Sequence, residues 1–119
     1  MASQAELHDA IRAGSVVLVD ARPAAAYHRR RLPGAVNLAA EDADARAARL
    51  LPDRDAAIVV YSTDSACDRG EALVRRMQAR GYGNVRLYRG GIEAWVQAGL
   101  ELEAYDGERH SQWASFVGG

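Results

Sequence analysis

The chain has no lysine, one cysteine, three prolines and one phenylalanine among its 119 residues. A single cysteine cannot close an internal disulfide, so the fold must rest on buried apolar surface. No cysteine and histidine spacing resembles a zinc site, and His8, His28 and His110 lie far apart in polar surroundings, so no metal or other cofactor is expected. No run approaches the ~20 apolar residues of a membrane-spanning helix, and MASQAELHDA lacks the charged and apolar regions of a secretion signal. A cytoplasmic protein is the expectation. The formal net charge is −1, with every basic side chain an arginine, which removes the usual electrostatic reason to expect nucleic acid or an anionic membrane as partner. The run His28-Arg29-Arg30-Arg31 reads as a solvated helix end before it reads as an anion patch.

What is present suits one domain over residues 1–119, with 49% apolar residues to form its core. Ser3-Gln4-Ala5-Glu6 has the spacing of a capping box and predicts a helix with Leu7, Ala10 and Ile11 on its apolar stripe, ended at Gly14. Val16–Val19 is a β-branched run without alternation, as in a strand covered on both faces of a parallel sheet. A second helix is expected over Pro23–Arg30, a weak strand over Ala35–Leu38 after the turn at Pro33-Gly34, and a helix over Glu41–Leu51 with acids early and arginines late. Ala57–Tyr61 is the clearest strand. The helix after it runs from about Arg69 to Arg80, burying Ala72, Leu73, Val74 and Met77, and Gly81 stops it. Val85–Tyr88 is another strand, and Gly90-Gly91 turns the chain into a helix over Ile92–Ala98 with Trp95 in the core. Strands alternating with helices predict an α/β domain of three layers: a mainly parallel central sheet of about five strands with helices on both faces. Residues 104–119 form a polar tail carrying Trp113 and Phe116.

Between residues 57 and 81 the chain reads strand, polar loop, helix, and the loop offers Ser62 at its start and Cys67 near its end. Ligands of open parallel sheets collect beyond the carboxyl ends of strands, where a helix start also directs unpaired N–H groups. Such a place favours a thiolate, a persulfide or a sulfur oxyanion.

LVDARPAAAYHRRRLPGAVNL and VVYSTDSACDRGEALVRRMQARGYGNVRLYRGGIEAW together resemble the rhodanese family of sulfurtransferases and related domains, from about Val16 to Glu103. The first carries a strand, D-x-R, an aromatic and a P-G-A-x-N-L turn. The second carries the active-site strand and loop, the following helix, a G-[FY]-x-x-V strand and a G-G-x-x-A-W turn. The resemblance implies a parallel α/β fold and an active-site loop spanning Ser62, Thr63, Asp64, Ser65, Ala66, Cys67, Asp68 and Arg69. It assigns the sulfur-accepting cysteine to the position held here by Ser62. A serine hydroxyl is far less acidic than a thiol and forms no stable equivalent of a persulfide.

Three readings follow from that substitution. The domain is silent or attenuated in sulfur transfer and works as a binding or regulatory module; or Cys67, matching a second thiol that some relatives carry late in the loop, bears sulfur or senses oxidation; or serine replaces the cysteine of an active sulfurtransferase by design. Arg69 and the helix start favour a thiolate at Cys67, while Asp64 and Asp68 oppose it. An activated serine would need a base, which only the fold could bring from His28 or His110. The family loop's glycine and arginine are replaced by Ser65 and Cys67, and the arginine that phosphatases of this fold require is missing. By resemblance Asp20 and Arg22 form the D-x-R, with Arg22 in an ion pair beneath the loops. Partners implied are a small sulfur-donor anion or a protein thiol.

Overall fold

The computed structural model describes residues 3–104. Helix α1 (Gln4–Ala13) opens on the capping box: Ser3 Oγ accepts from the Glu6 amide at 3.1 Å and Glu6 Oε1 from the Ser3 amide at 3.2 Å. These bonds hold the Glu6 carboxyl below the usual carboxylate range. After β1 (Val17–Asp20), Pro23 stands just ahead of α2 (Ala24–Arg29). Strand β2 is only Val36–Asn37, and the alanine-rich segment divides into a 3₁₀ turn (Ala40–Asp42) and α3 (Ala43–Leu50). Then come β3 (Ile58–Tyr61), α4 (Arg69–Ala79), β4 (Val85–Tyr88) and α5 (Gly91–Gln97).

All strand pairs are parallel, in the order β2-β1-β3-β4. The described residues form four strands, not the five expected. Among the described residues, the segment that follows α5 forms a single β-bridge, antiparallel between Arg31 and Glu103, on a residue outside the sheet. A strand needs a continuous partner edge, and one bridge does not supply it.

Alternation along the strands sends side chains to two cores. Val19, Ile58 and Val60 face α3 and α4, where Ala43, Ala47, Leu73 and Met77 are buried. Leu18, Val59 and Tyr61 face α1 and α5, where Leu7, Ile92 and Trp95 are buried. Helices therefore cover both faces, as the apolar runs of β1 and β3 require. Ala72 and Val74 are only half-buried, because α4 turns a narrow stripe of Gly70, Leu73 and Met77 inward. No helix among the described residues is long and apolar enough to cross a membrane. Trp113, Phe116 and His110 lie outside the described residues.

Candidate functional site at the carboxyl edge of the sheet

Strands β1 and β3 are neighbours in a register that sets Asp20 opposite Tyr61, so whatever follows either strand meets at one edge. Arg22 reaches back to Asp20 with Nε at 3.1 Å and Nη2 at 2.8 Å, and its amide donates to the same carboxylate. The Tyr61 hydroxyl donates to Asp20 at 2.7 Å and accepts from the Leu32 amide at 3.0 Å. Arg22 Nη2 also donates to the Arg30 carbonyl. Asp20 is 0% and Arg22 6% exposed. Burial alone would lower the pKa of the Arg22 guanidinium, but the hydrogen bonds and charge of Asp20 outweigh it and hold the pKa above its ordinary value. Burial, then the Asp20 charge, push the Tyr61 phenol far up. The cluster is a buried set of donors and acceptors bonded to one another, and its chemistry is that of a scaffold.

One residue further along β3 the chain opens. Ser62 is 4% exposed, held between two close approaches of backbone. On one side Gly91 takes φ +65°, and a Cβ there would lie 2.6 Å from the Ser62 and Thr63 carbonyl oxygens. Those carbonyls instead accept from the Ile92 and Glu93 amides at 2.9 Å, so the loop rests on the first turn of α5. On the other side, a Cβ on Gly70 would lie 2.8 Å from the Leu87 side chain and 3.7 Å from Ser62 Cβ. Glycine at 91 is a condition for this loop path, because its positive φ and the backbone oxygens beside it admit no side chain.

Asp64 turns the loop: its side chain accepts from the Ala66 amide at 3.0 Å and its carbonyl from the Cys67 amide at 3.1 Å. The turn brings Cys67 Sγ to 3.1 Å from Ser62 Oγ. Burial would raise the Cys67 thiol, but the Ser62 hydroxyl, the backbone at Arg69 and Thr63, and the Arg69 charge together lower it below the ordinary value. A cavity of about 200 Å³ opens beside the pair, and Asp64, Asp68, Glu71 and Arg89 also line it. Ser65 and Ala66 contribute to its wall as well, whereas Thr63 and Arg69 act on the thiol without lining the space.

The structure thus brings Ser62 and Cys67 together and keeps Asp20 and Arg22 in a separate cluster beneath. Among the described residues no histidine lines the cavity: His8 packs against Trp95, and His28 borders a different cleft with Tyr27 and Arg46. An activated serine has no base among the described residues. Nor do three metal-ligating side chains gather anywhere among them. Sequence reasoning missed the Tyr61 hydroxyl, Glu71 and Arg89. Tyr61 ends its strand as Asp20 ends β1, and that shared position was the available signal; Glu71 and Arg89 carried none.

A thiol beside an alcohol, in the loop between a central parallel strand and a helix, defines a class: parallel α/β domains that present a reactive group at the carboxyl edge of the sheet. Comparison with known proteins makes it specific, because a family model described as Rhodanese-like domain matches residues 3–98, and the chain belongs to that family. The match begins at Ser3, the residue that caps α1, earlier than the signature starting near Val16. A sulfurtransferase of Allochromatium vinosum is 34% identical over 92 residues, covering 77% of this chain and 82% of its own. An HTH-type transcriptional regulator of Mycobacterium tuberculosis is 37% identical over 101 residues, which cover 85% of this chain. The chain spans 43% of that regulator's length. Among solved structures, the BH2092 protein of Bacillus halodurans superposes with a TM-score of 0.78 at 25% identity, covering 85% of this chain and 74% of that one.

Proposed function

We propose that this rhodanese-like domain handles sulfane sulfur on Cys67, with Ser62 standing where the family resemblance assigns the nucleophilic cysteine. The observation that carries the reading is the 3.1 Å contact between Cys67 Sγ and Ser62 Oγ inside the cavity. It brings a thiol of lowered pKa beside the very residue whose alcohol cannot hold sulfur. The likeness to a sulfurtransferase over most of both chains supports it.

The step is a displacement at sulfur. The Cys67 thiolate attacks the outer sulfur of a donor, the donor's S–S bond breaks, and the electron pair leaves on the donor fragment, which is sulfite when the donor is thiosulfate. The persulfide then passes its outer sulfur to an acceptor nucleophile, cyanide giving thiocyanate, and the thiolate returns. The Ser62 hydroxyl donates to the thiolate sulfur and lowers its proton affinity. A reducing cytoplasm, which keeps a lone thiol free, suits this chemistry.

A second reading, a binding or regulatory module without turnover, is favoured by the alcohol at residue 62 and by the likeness to a longer transcriptional regulator. One experiment separates them: intact-mass analysis after incubation with thiosulfate or a persulfide donor. Sulfur transfer predicts a gain of one sulfur on the Cys67 peptide, absent in Cys67→Ala and retained in Ser62→Ala. A thiol that stays unmodified with every donor leaves the module reading.

A further inference from the structure

Strand β2 is an edge of the sheet, two residues long and paired only with β1. Beside it lies a cleft of about 390 Å³ whose apolar walls are the half-buried Tyr27 of α2, Val36 of β2 and Leu50 of α3, with the exposed His28 and Arg46 completing it. Tyr27 is a fixed wall, since its hydroxyl donates to the Ala35 carbonyl at 2.6 Å. The chain leaves the described residues next to this cleft. Glu103 and Arg31 exchange two backbone hydrogen bonds, of 2.8 and 2.9 Å, as an antiparallel pair, and the Arg31 guanidinium lies over the Tyr27 ring at 4.7 Å. In an antiparallel pair one chain advances as the other retreats, so the step from Glu103 to Ala104 runs toward Arg30 and the carboxyl end of α2. Charge matches across that step. Arg29, Arg30 and Arg46 are exposed, and among the described residues no ion pair engages them, while the chain beyond Glu103 carries Asp106 and Glu108 before its first cation, Arg109.

We infer that this cleft is the docking site of the chain's own segment 105–119, with Trp113 inserted between α2, β2 and α3 and with Asp106 and Glu108 meeting the arginines of α2 and α3. Trp113 lies nine residues beyond Ala104, a reach of about 30 Å when extended. Helix α2, along which the segment must pass, is only about 9 Å long, so the distance is covered without stretching. An indole suits the place because one of its sides can be buried against Tyr27, Val36 and Leu50 while its N–H stays toward solvent. The carboxylates set the direction in which the segment lies, and salt weakens their share. Attachment at Glu103 keeps the segment at an effective concentration of about millimolar, which favours its own cleft over that of a second copy. The inference stands apart from sulfur transfer at Cys67, since none of the residues lining this cleft lines the cavity beside the thiol.

The test is tryptophan fluorescence of the full chain. Trp95 and Trp113 are its two tryptophans and Trp95 is 0% exposed, so subtracting the emission of Trp113→Phe isolates Trp113. Acrylamide should quench that difference signal several-fold less than it quenches tryptophan in solution, and equally at every protein concentration. Arg29→Glu/Arg46→Glu changes two exposed positions and should raise the quenching toward the solution value while Trp95 emission, the sign of an intact core, stays unchanged. Adding Asp106→Arg/Glu108→Arg to that variant should restore the protection. Solution-like quenching in the unaltered chain overturns the inference. So does protection that the arginine reversal leaves untouched or that the second reversal fails to restore, because Trp113 would then be covered elsewhere. Protection that grows with protein concentration also overturns it, since the cleft would then belong to the segment of a second copy.

Discussion

Asp20 at the end of β1 and Ser62 just past the end of β3 occupy neighbouring places on one sheet edge and have opposite surroundings. Around Asp20 the polar groups bond to one another: the carboxylate takes two guanidinium nitrogens, an amide and a phenol, and that phenol takes the Leu32 amide. Around Ser62 the backbone is equally fixed, but the side chain meets only Cys67 and a cavity adjoins them. Two buried polar residues at the ends of adjacent strands thus have different surroundings. A closed network joins the strand ends, and an open pair sets a thiol beside a cavity. Their separation is what makes the comparison testable, since damage to one should leave the signature of the other.

The largest expected effect is on the closed side. Arg22→Ala strands the Asp20 carboxylate in the interior, and removing one partner of a buried ion pair costs about 3–5 kcal/mol. Urea denaturation should show that loss, and a change below 1 kcal/mol would mean that solvent reaches Asp20 after all. Tyr61→Phe comes next. It removes a donor to Asp20 and leaves the buried Leu32 amide without its acceptor, for about 1–3 kcal/mol, while the Cys67 alkylation rate in the folded protein should stay unchanged. A shift in that rate would join the two regions into one unit.

Ser62→Ala is expected to do the reverse at the smallest scale. Stability should move little, and the pH profile of Cys67 alkylation should shift upward, because the hydroxyl that favours the thiolate is gone. In the unaltered chain the lowered thiol pKa keeps the thiolate populated to lower pH than an ordinary cysteine, so alkylation at neutral pH should be slower in the variant. An unshifted profile would remove Ser62 from the account of Cys67.

Much of this architecture was legible in the chain. The capping box at Ser3, the two apolar runs that became β1 and β3, and the glycine stops at Gly14 and Gly81 depend on residues close in sequence, and they appear where local rules put them. The motif order across Val16–Glu103 pointed to the family. Less was legible where distant segments must agree. The strand count came out one too high because pairing at a sheet edge depends on a partner that no local pattern names. Gly91 read as a turn residue, and only its approach to the Ser62 and Thr63 carbonyls explains why nothing larger fits.

Sequence alone determined which atoms were available: one thiol in the whole chain, an alcohol at residue 62, a D-x-R after the first strand, and apolar periods that demand a sheet covered on both faces. Tertiary structure decided which of them meet. Cys67 reaches Ser62 because Asp64 folds the loop back on itself, and Asp20 is sealed because Tyr61 arrives from the neighbouring strand at the same height. Residue type sets chemical capacity through bonding and charge, whereas reactivity depends on distance and solvent access, and those are properties of packing between segments that the linear order leaves apart.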